Sequence, residues 1–190
     1  MGRGGAAALV AALYIMWGQT AWAGPIGEAA AEAERLSGAG RPVEALAALD
    51  RAAEAIWQAS PLTVRKALFV TEPSGFGLYR PKESSLFRPG ETATAYVEPI
   101  GFAYGEAAGG YAIALGADLA IEVPGGQVVG EADDLFDVRI VSHERNREFN
   151  MALSFAVPDL KPGAYVGVFT LRDRNSDKTG RFELPFTVGN

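Results

Sequence analysis

The hydrophobic period of this chain changes once, and that change constrains the fold more than any other feature. Between residues 27 and 59 apolar side chains recur every three or four positions; from Arg65 onward they recur every second position. The first spacing lines one face of a helix and the second lines one face of a strand. A short helical segment therefore precedes a strand-rich region. No long helix separates the later strands, which argues against a parallel α/β sheet.

The helical part divides in two. Glu28 to Leu36 is rich in Ala and Glu and stops at Ser37-Gly38-Ala39-Gly40. Pro42 then stands at the first position of a second helix, where its missing N–H is harmless. Val43, Leu46, Leu49, Ala53 and Ile56 form one apolar stripe with Trp57 beside it, and Ser60-Pro61 closes the element. The pattern predicts an αα-hairpin over residues 24–62. Its apolar stripe is expected to cover an edge or an open face of the sheet that follows.

Residues 63–190 read as the β domain. Candidate strands are Lys66–Val70, Phe76–Tyr79, Thr92–Glu98, Tyr111–Val123, Gln127–Gly130, Leu135–Ser142, Phe149–Val157, Tyr165–Leu171 and Phe182–Val188. Turns fall at Glu72-Pro73-Ser74-Gly75, Arg88-Pro89-Gly90-Glu91, Pro124-Gly125-Gly126 and Asp159 to Gly163. Pro185 lacks a ladder donor and marks the last strand as an edge. Short strands with one apolar face and regular Pro/Gly turns predict a mainly β fold, an antiparallel immunoglobulin-like β-sandwich preceded by the short αα-hairpin. A jelly roll or barrel fits the same pattern.

The N-terminus carries its own signal. Arg3 precedes an apolar run from Ala6 to Trp17, and Ala21-Trp22-Ala23 forms a small-x-small cleavage site. Residues 1–23 are expected to be a signal peptide, and the chain to be periplasmic or secreted. The run is shorter than the roughly 20 apolar residues of a membrane span, so no membrane insertion is expected after cleavage. The net charge is −6 and no basic stripe exists, which disfavours nucleic acid as a partner. No Cys is present, which removes disulfides, thiolate catalysis and Cys-ligated metals.

Two resemblances add to this reading. Gly40 to Ala52 (GR-P-EAL-ALDRA) resembles half of a single tetratricopeptide-type unit. One such unit must pack on something else, since solenoids need about three. Leu160, Pro162, Gly163, Tyr165 and Asp173, followed by Lys178, Phe182 and Pro185-Phe186, resemble exported bacterial immunoglobulin-like modules. The block from Phe87-Arg88-Pro89-Gly90-Glu91 through Tyr96-Val97-Glu98 to Phe186 is similar to a family of uncharacterised periplasmic proteins of Gram-negative bacteria with an immunoglobulin-like β-sandwich. These resemblances imply a fold and a compartment, not a chemistry.

The residues offer little catalytic material. His143 begins a HExxH-like run, but Arg147 stands where the second zinc ligand belongs. No G-x-S-x-G elbow is present, and no catalytic residue or cofactor is expected. A carboxylate pair drawn from Glu98, Asp118 and Glu122 depends on separations that spacing does not fix. Asp173, Asn175 and Asp177 alternate as calcium ligands do, but Gly180 falls too late for an EF-hand loop, so they are weak metal candidates. Glu131, Asp133, Asp134 and Asp137 form an acidic run without that spacing.

Recognition is the better-supported use. The loop over residues 101–111, with Tyr96 beside it, brings Phe102, Tyr104 and Tyr111 within reach of an aromatic platform. The turn over residues 139–148 supplies Arg139, His143, Arg145 and Glu148. The expected function is a non-enzymatic envelope protein that binds another envelope protein or has a structural role, by its hairpin or a sandwich edge. The alternative is a small-ligand or glycan module built on that loop and turn.

Overall fold

A computed structural model describes residues 24–189. The expected signal peptide, residues 1–23, lies outside them. Helix α1 (Pro25–Gly38) and helix α2 (Pro42–Ala59) form the hairpin. The turn between them is a Schellman motif: Arg41 N–H donates to Leu36 O, Gly40 N–H donates to Ser37 O, and Gly40 sits at φ +69°. Ala33, Leu36, Ala45 and Ala48 meet between the helices, so the pair is held closely by small side chains.

Ten strands follow: β1 (Thr63–Gly75), β2 (Leu78–Pro81), β3 (Leu86–Phe87), β4 (Thr92–Ile100), β5 (Gly105–Ala107), β6 (Gly110–Glu122), β7 (Val128–Ser142), β8 (Met151–Ala156), β9 (Gly163–Asp173) and β10 (Thr179–Val188). One sheet has the order β2-β1-β4-β8. The other has the order β3-β10-β9-β6, with β5 and β7 both paired to β6. All pairings are antiparallel except β3 with β10.

The two sheets face each other as a sandwich. Ala93, Ala95, Val97, Met151, Leu153 and Phe155 from one meet Ile113, Leu115, Leu119, Phe169, Leu171 and Phe186 from the other. Phe69, Phe87 and Phe186 cluster with ring centroids 4.9–6.3 Å apart. The Tyr165 hydroxyl donates to Lys161 O at 2.8 Å, a tyrosine corner that fixes the Leu-x-Pro-Gly-x-Tyr turn. The fold is thus mainly β and immunoglobulin-like, with the hairpin in front, as the periodicity indicates.

Three local expectations need correction. The turn is not at Glu72–Gly75: β1 continues through these residues with two register shifts, and the chain reverses at Phe76-Gly77. Pro73 is accommodated because β1 is bulged there. The segments 127–130 and 135–142 are one strand, β7, interrupted by a bulge. Ala117 pairs Phe136 while Leu119 pairs Ala132, so extra residues of β7 loop out around Asp134 at φ +47°. The acidic run binds arginines across the sheet: Arg172 reaches Asp118 and Asp134, and Arg174 reaches Asp134 and Asp137. Finally, the apolar stripe of α2 does not lie on the sheet, as described next.

Candidate functional site

Among the described residues α2 is tied to the sandwich from Asp50 onward, by three sets of contacts. The Trp57 indole N–H donates to Phe102 O at 2.8 Å, and its ring meets the Phe102 ring edge-on at 5.0 Å. From Phe102 the aromatic contacts run to Tyr104, to Phe149, and from Tyr104 to Tyr111. The Lys178 ammonium donates to three carbonyls, Gln58 O at 3.2 Å, Ser60 O at 2.8 Å and Gly101 O at 2.7 Å. It thereby places a cation at the helix C-terminus, where the backbone dipole favours one.

The third set is ionic. Arg145 reaches Glu54 at 2.8 Å, and Arg147 reaches Asp50 at 2.6 Å and Glu54 at 3.5 Å. The Arg145 guanidinium also lies over the Tyr111 ring at 4.9 Å. The Tyr104 hydroxyl donates to Asn146 O at 3.0 Å. Burial, with the Glu54 carboxylate second, pushes the Tyr104 hydroxyl up to about 12.

The sequence-predicted recognition residues therefore separate. Phe102 is buried in the core and Tyr104 packs against it. Tyr96 is on the far face of β4, also buried, and its hydroxyl donates to Glu98 and accepts from Gly77 N–H. It stacks on Tyr79 rather than on the loop aromatics. The four aromatics form no common platform: Tyr96 stays on the outer face of β4, whereas the chain leaves the strand through Gly101 at φ +79° and turns Phe102 into the core. Arg145 and its neighbour Arg147 hold α2. His143 is exposed, with Nδ1 2.8 Å from Gly109 O, and no carboxylate takes part. Arg139 and Glu148 are exposed and make no ion pair among the described residues.

Glu98 is the most buried carboxylate of the outer sheet face. Burial would raise its pKa, but the Arg65 guanidinium at 2.7 Å and the Tyr96 hydroxyl at 2.9 Å outweigh this and hold it below the usual range. Asp118 and Glu122 both lie on β6 of the other sheet, so Glu98 pairs with neither.

The Asp173–Asp177 segment folds as a self-capped turn. Asp173 is buried and accepts hydrogen bonds from Ala103 N–H, Asn175 N–H and the Ser176 hydroxyl. The Asn175 amide donates to Ala103 O and Ala112 O. Both Asp173 carboxylate oxygens are occupied by N–H and O–H donors, and Asp177 stands apart and exposed.

What remains open is the stripe. Ala45, Ala48 and Ala52 are the buried positions of α2, whereas Val43 is 76% exposed, Leu46 63%, Leu49 49% and Ile56 51%. Beside it runs a groove of about 450 Å³ lined by Ala30, Ala33, Pro42, Ala45, Leu46 and Leu49. Small residues at the helix–helix contact take the inner face and leave the large apolar side chains outside. Sequence periodicity finds the stripe but not its direction, since both faces of α2 carry apolar residues.

Comparison with known proteins assigns the chain to no family. No family model matches it, and no curated protein matches it. Solved structures with partial similarity include Spo0M, the sporulation control protein of Bacillus subtilis, at 13% identity and TM-score 0.39. That match covers 69% of this chain and 50% of Spo0M, so it spans about half the length of Spo0M. The PKD domain of an M14-like peptidase from a Thermoplasmatales archaeon matches at 10% identity and TM-score 0.36, covering 69% of this chain and 98% of the domain. CopC from Methylosinus trichosporium OB3b matches at 15% identity and TM-score 0.32, covering 67% and 92%.

Proposed function

We propose that this protein is an exported, non-enzymatic envelope protein that binds a partner protein through the exposed face of its helical hairpin. The observation that carries the proposal is the stripe Val43, Leu46, Leu49 and Ile56, half or more exposed on a helix whose other end is anchored. Contiguous apolar surface of this kind marks interaction sites in soluble proteins. The anchoring at Trp57, Glu54 and Lys178 supports the reading, since a binding element held on a rigid sandwich loses little freedom on association. Phe102 of the loop and Arg145 of the turn, which a small ligand would use, are engaged in that anchoring.

The test is a pull-down of residues 24–190 from envelope extract, compared with a Leu46→Glu/Leu49→Glu variant. Substitutions are preferable to a chain starting at Thr63, because Leu62 is buried in the sandwich core and Trp57 packs on Phe102. A partner kept by the native chain and lost by a folded variant supports the hairpin as the contact. A partner retained by both, or none with either, overturns it.

A further inference from the structure

The outer edge of β7 carries a second, independent signal. β7 is hydrogen-bonded to β6 alone, and among the described residues nothing pairs with its other edge. Proteins normally blunt such edges. Here the bulge at Asp133-Asp134 blunts the first half, but Phe136 to Ser142 pairs with β6 without a register shift. Ile140 and Val141 on this run are 38% and 47% exposed.

The run is also self-complementary. In an antiparallel pair related by a two-fold axis at Val138, Asp137 of each copy faces Arg139 of the other. Phe136 then faces Ile140, and Val138 faces itself. Moving the axis one residue, to Arg139, would set two guanidinium groups opposite each other. Among the described residues Arg139 has no acidic partner, while Asp137 is bound on one oxygen by Arg174 at 2.7 Å, leaving its other oxygen without that contact. Opposite charges on facing positions favour a cross-strand pair and like charges oppose it. A two-fold contact needs this kind of self-complementarity.

We infer that two copies of this chain associate edge to edge through β7, in the register centred on Val138, joining their β6-containing sheets into one. The contact rests on backbone pairing and a charge pattern, not on the apolar helix face of the hairpin. It does not depend on the hairpin reading.

The test is sedimentation of residues 24–190 over a range of concentrations. The native chain is expected to dimerise. Arg139→Asp and Asp137→Arg should each weaken self-association about tenfold or more, since each replaces two attractive pairs by two repulsive ones. An equimolar mixture of the two variants should recover a heterodimer, because each acidic pair then faces a basic pair. Circular dichroism of each variant checks that it folds, which matters for Asp137→Arg because it removes one of the two partners of Arg174. A second measurement avoids that variant. The chain has no Cys, so Val138→Cys introduces the only thiol. Oxidation should cross-link Val138→Cys into a dimer and leave Val141→Cys largely uncross-linked, since position 141 faces position 135. A native chain that stays monomeric overturns the inference. So does a dimer indifferent to Arg139→Asp, or cross-linking through position 141 and not 138. A dimer abolished by Leu46→Glu/Leu49→Glu instead would assign association to the hairpin.

Discussion

Replacing Lys178 by Met removes the ammonium that gathers Gln58 O, Ser60 O and Gly101 O while keeping most of the apolar stem. Hydrogen bonds to a charged group are each worth about 1.5–3 kcal/mol, and a cation at a helix C-terminus adds about 0.3–1 kcal/mol. The three bonds share one half-buried group, and water can reach the freed carbonyls in part. They therefore do not add, and the expected loss is about 2–3 kcal/mol. With a urea m-value of about 2 kcal/mol per M for a domain of this size, the midpoint falls by about 1 M. Trp57 makes the assay local. Trp17 and Trp22 fall within the first 23 residues, so in residues 24–190 Trp57 is the only tryptophan, and it sits at the junction. Its fluorescence should shift to longer wavelength in the variant before urea is added or at lower urea than the circular dichroism of the sheets. Lys161→Met, at an exposed turn, is the control. A midpoint shift below about 0.2 M with unchanged Trp57 emission would show that the three carbonyls do not hold the hairpin to the sandwich.

Other perturbations have equally definite outcomes. Gly101→Ala should destabilise by more than about 3 kcal/mol in the same urea assay: its Cβ would meet Pro61 O at 2.2 Å, and the residue sits at φ +79°. The stability owed to Glu98 is present above its unfolded value near 4.5 and is lost as pH falls through the lower folded value. Glu98→Gln should therefore flatten the acid limb of the thermal-melting profile, and an unchanged limb would refute the role given to Arg65. Tyr104 is shifted the other way, so its contribution holds below pH 10 and is lost as pH rises toward about 12. The alkaline melting profile of Tyr104→Phe should lack that fall. Asp173→Ala leaves Ala103 N–H and Asn175 N–H without their acceptor and should lower stability by about 2–4 kcal/mol, whereas added calcium should not move the native melting temperature.

The elements that sequence locates are those whose signals are local. Pro42, Gly40 and the 3.6-residue spacing define the hairpin, and Leu160-Lys161-Pro162-Gly163 with Tyr165 defines the corner before β9. The misplaced features depend on partners far along the chain. Pro73 and the Asp133-Asp134 pair look like turns, but bulges against β2 and β6 carry the strands through them. Arg145 and Arg147 look like a solvated or ligand-binding turn, and only the fold reveals Asp50 and Glu54 opposite them. Tyr96 and Phe102 are six residues apart and both aromatic, yet they lie on different faces of the first sheet. The stripe on α2 is visible in sequence, whereas its exposure is not, because small alanines on the neighbouring face win the helix–helix contact.

Helix α2 is fixed at one end and free at the other, and this makes it a lever. From Trp57 back to Pro42 is 15 residues, or roughly 22 Å at 1.5 Å per residue. A rotation of about 10° at the anchor moves the tip by roughly 4 Å, more than the width of an atom layer. A load applied at Val43 or Leu46 is therefore delivered, multiplied by the arm, to Phe102, Lys178 and the arginine turn. Tension or docking at the tip registers as a change in the surroundings of Trp57, at the fulcrum and far from where it is applied.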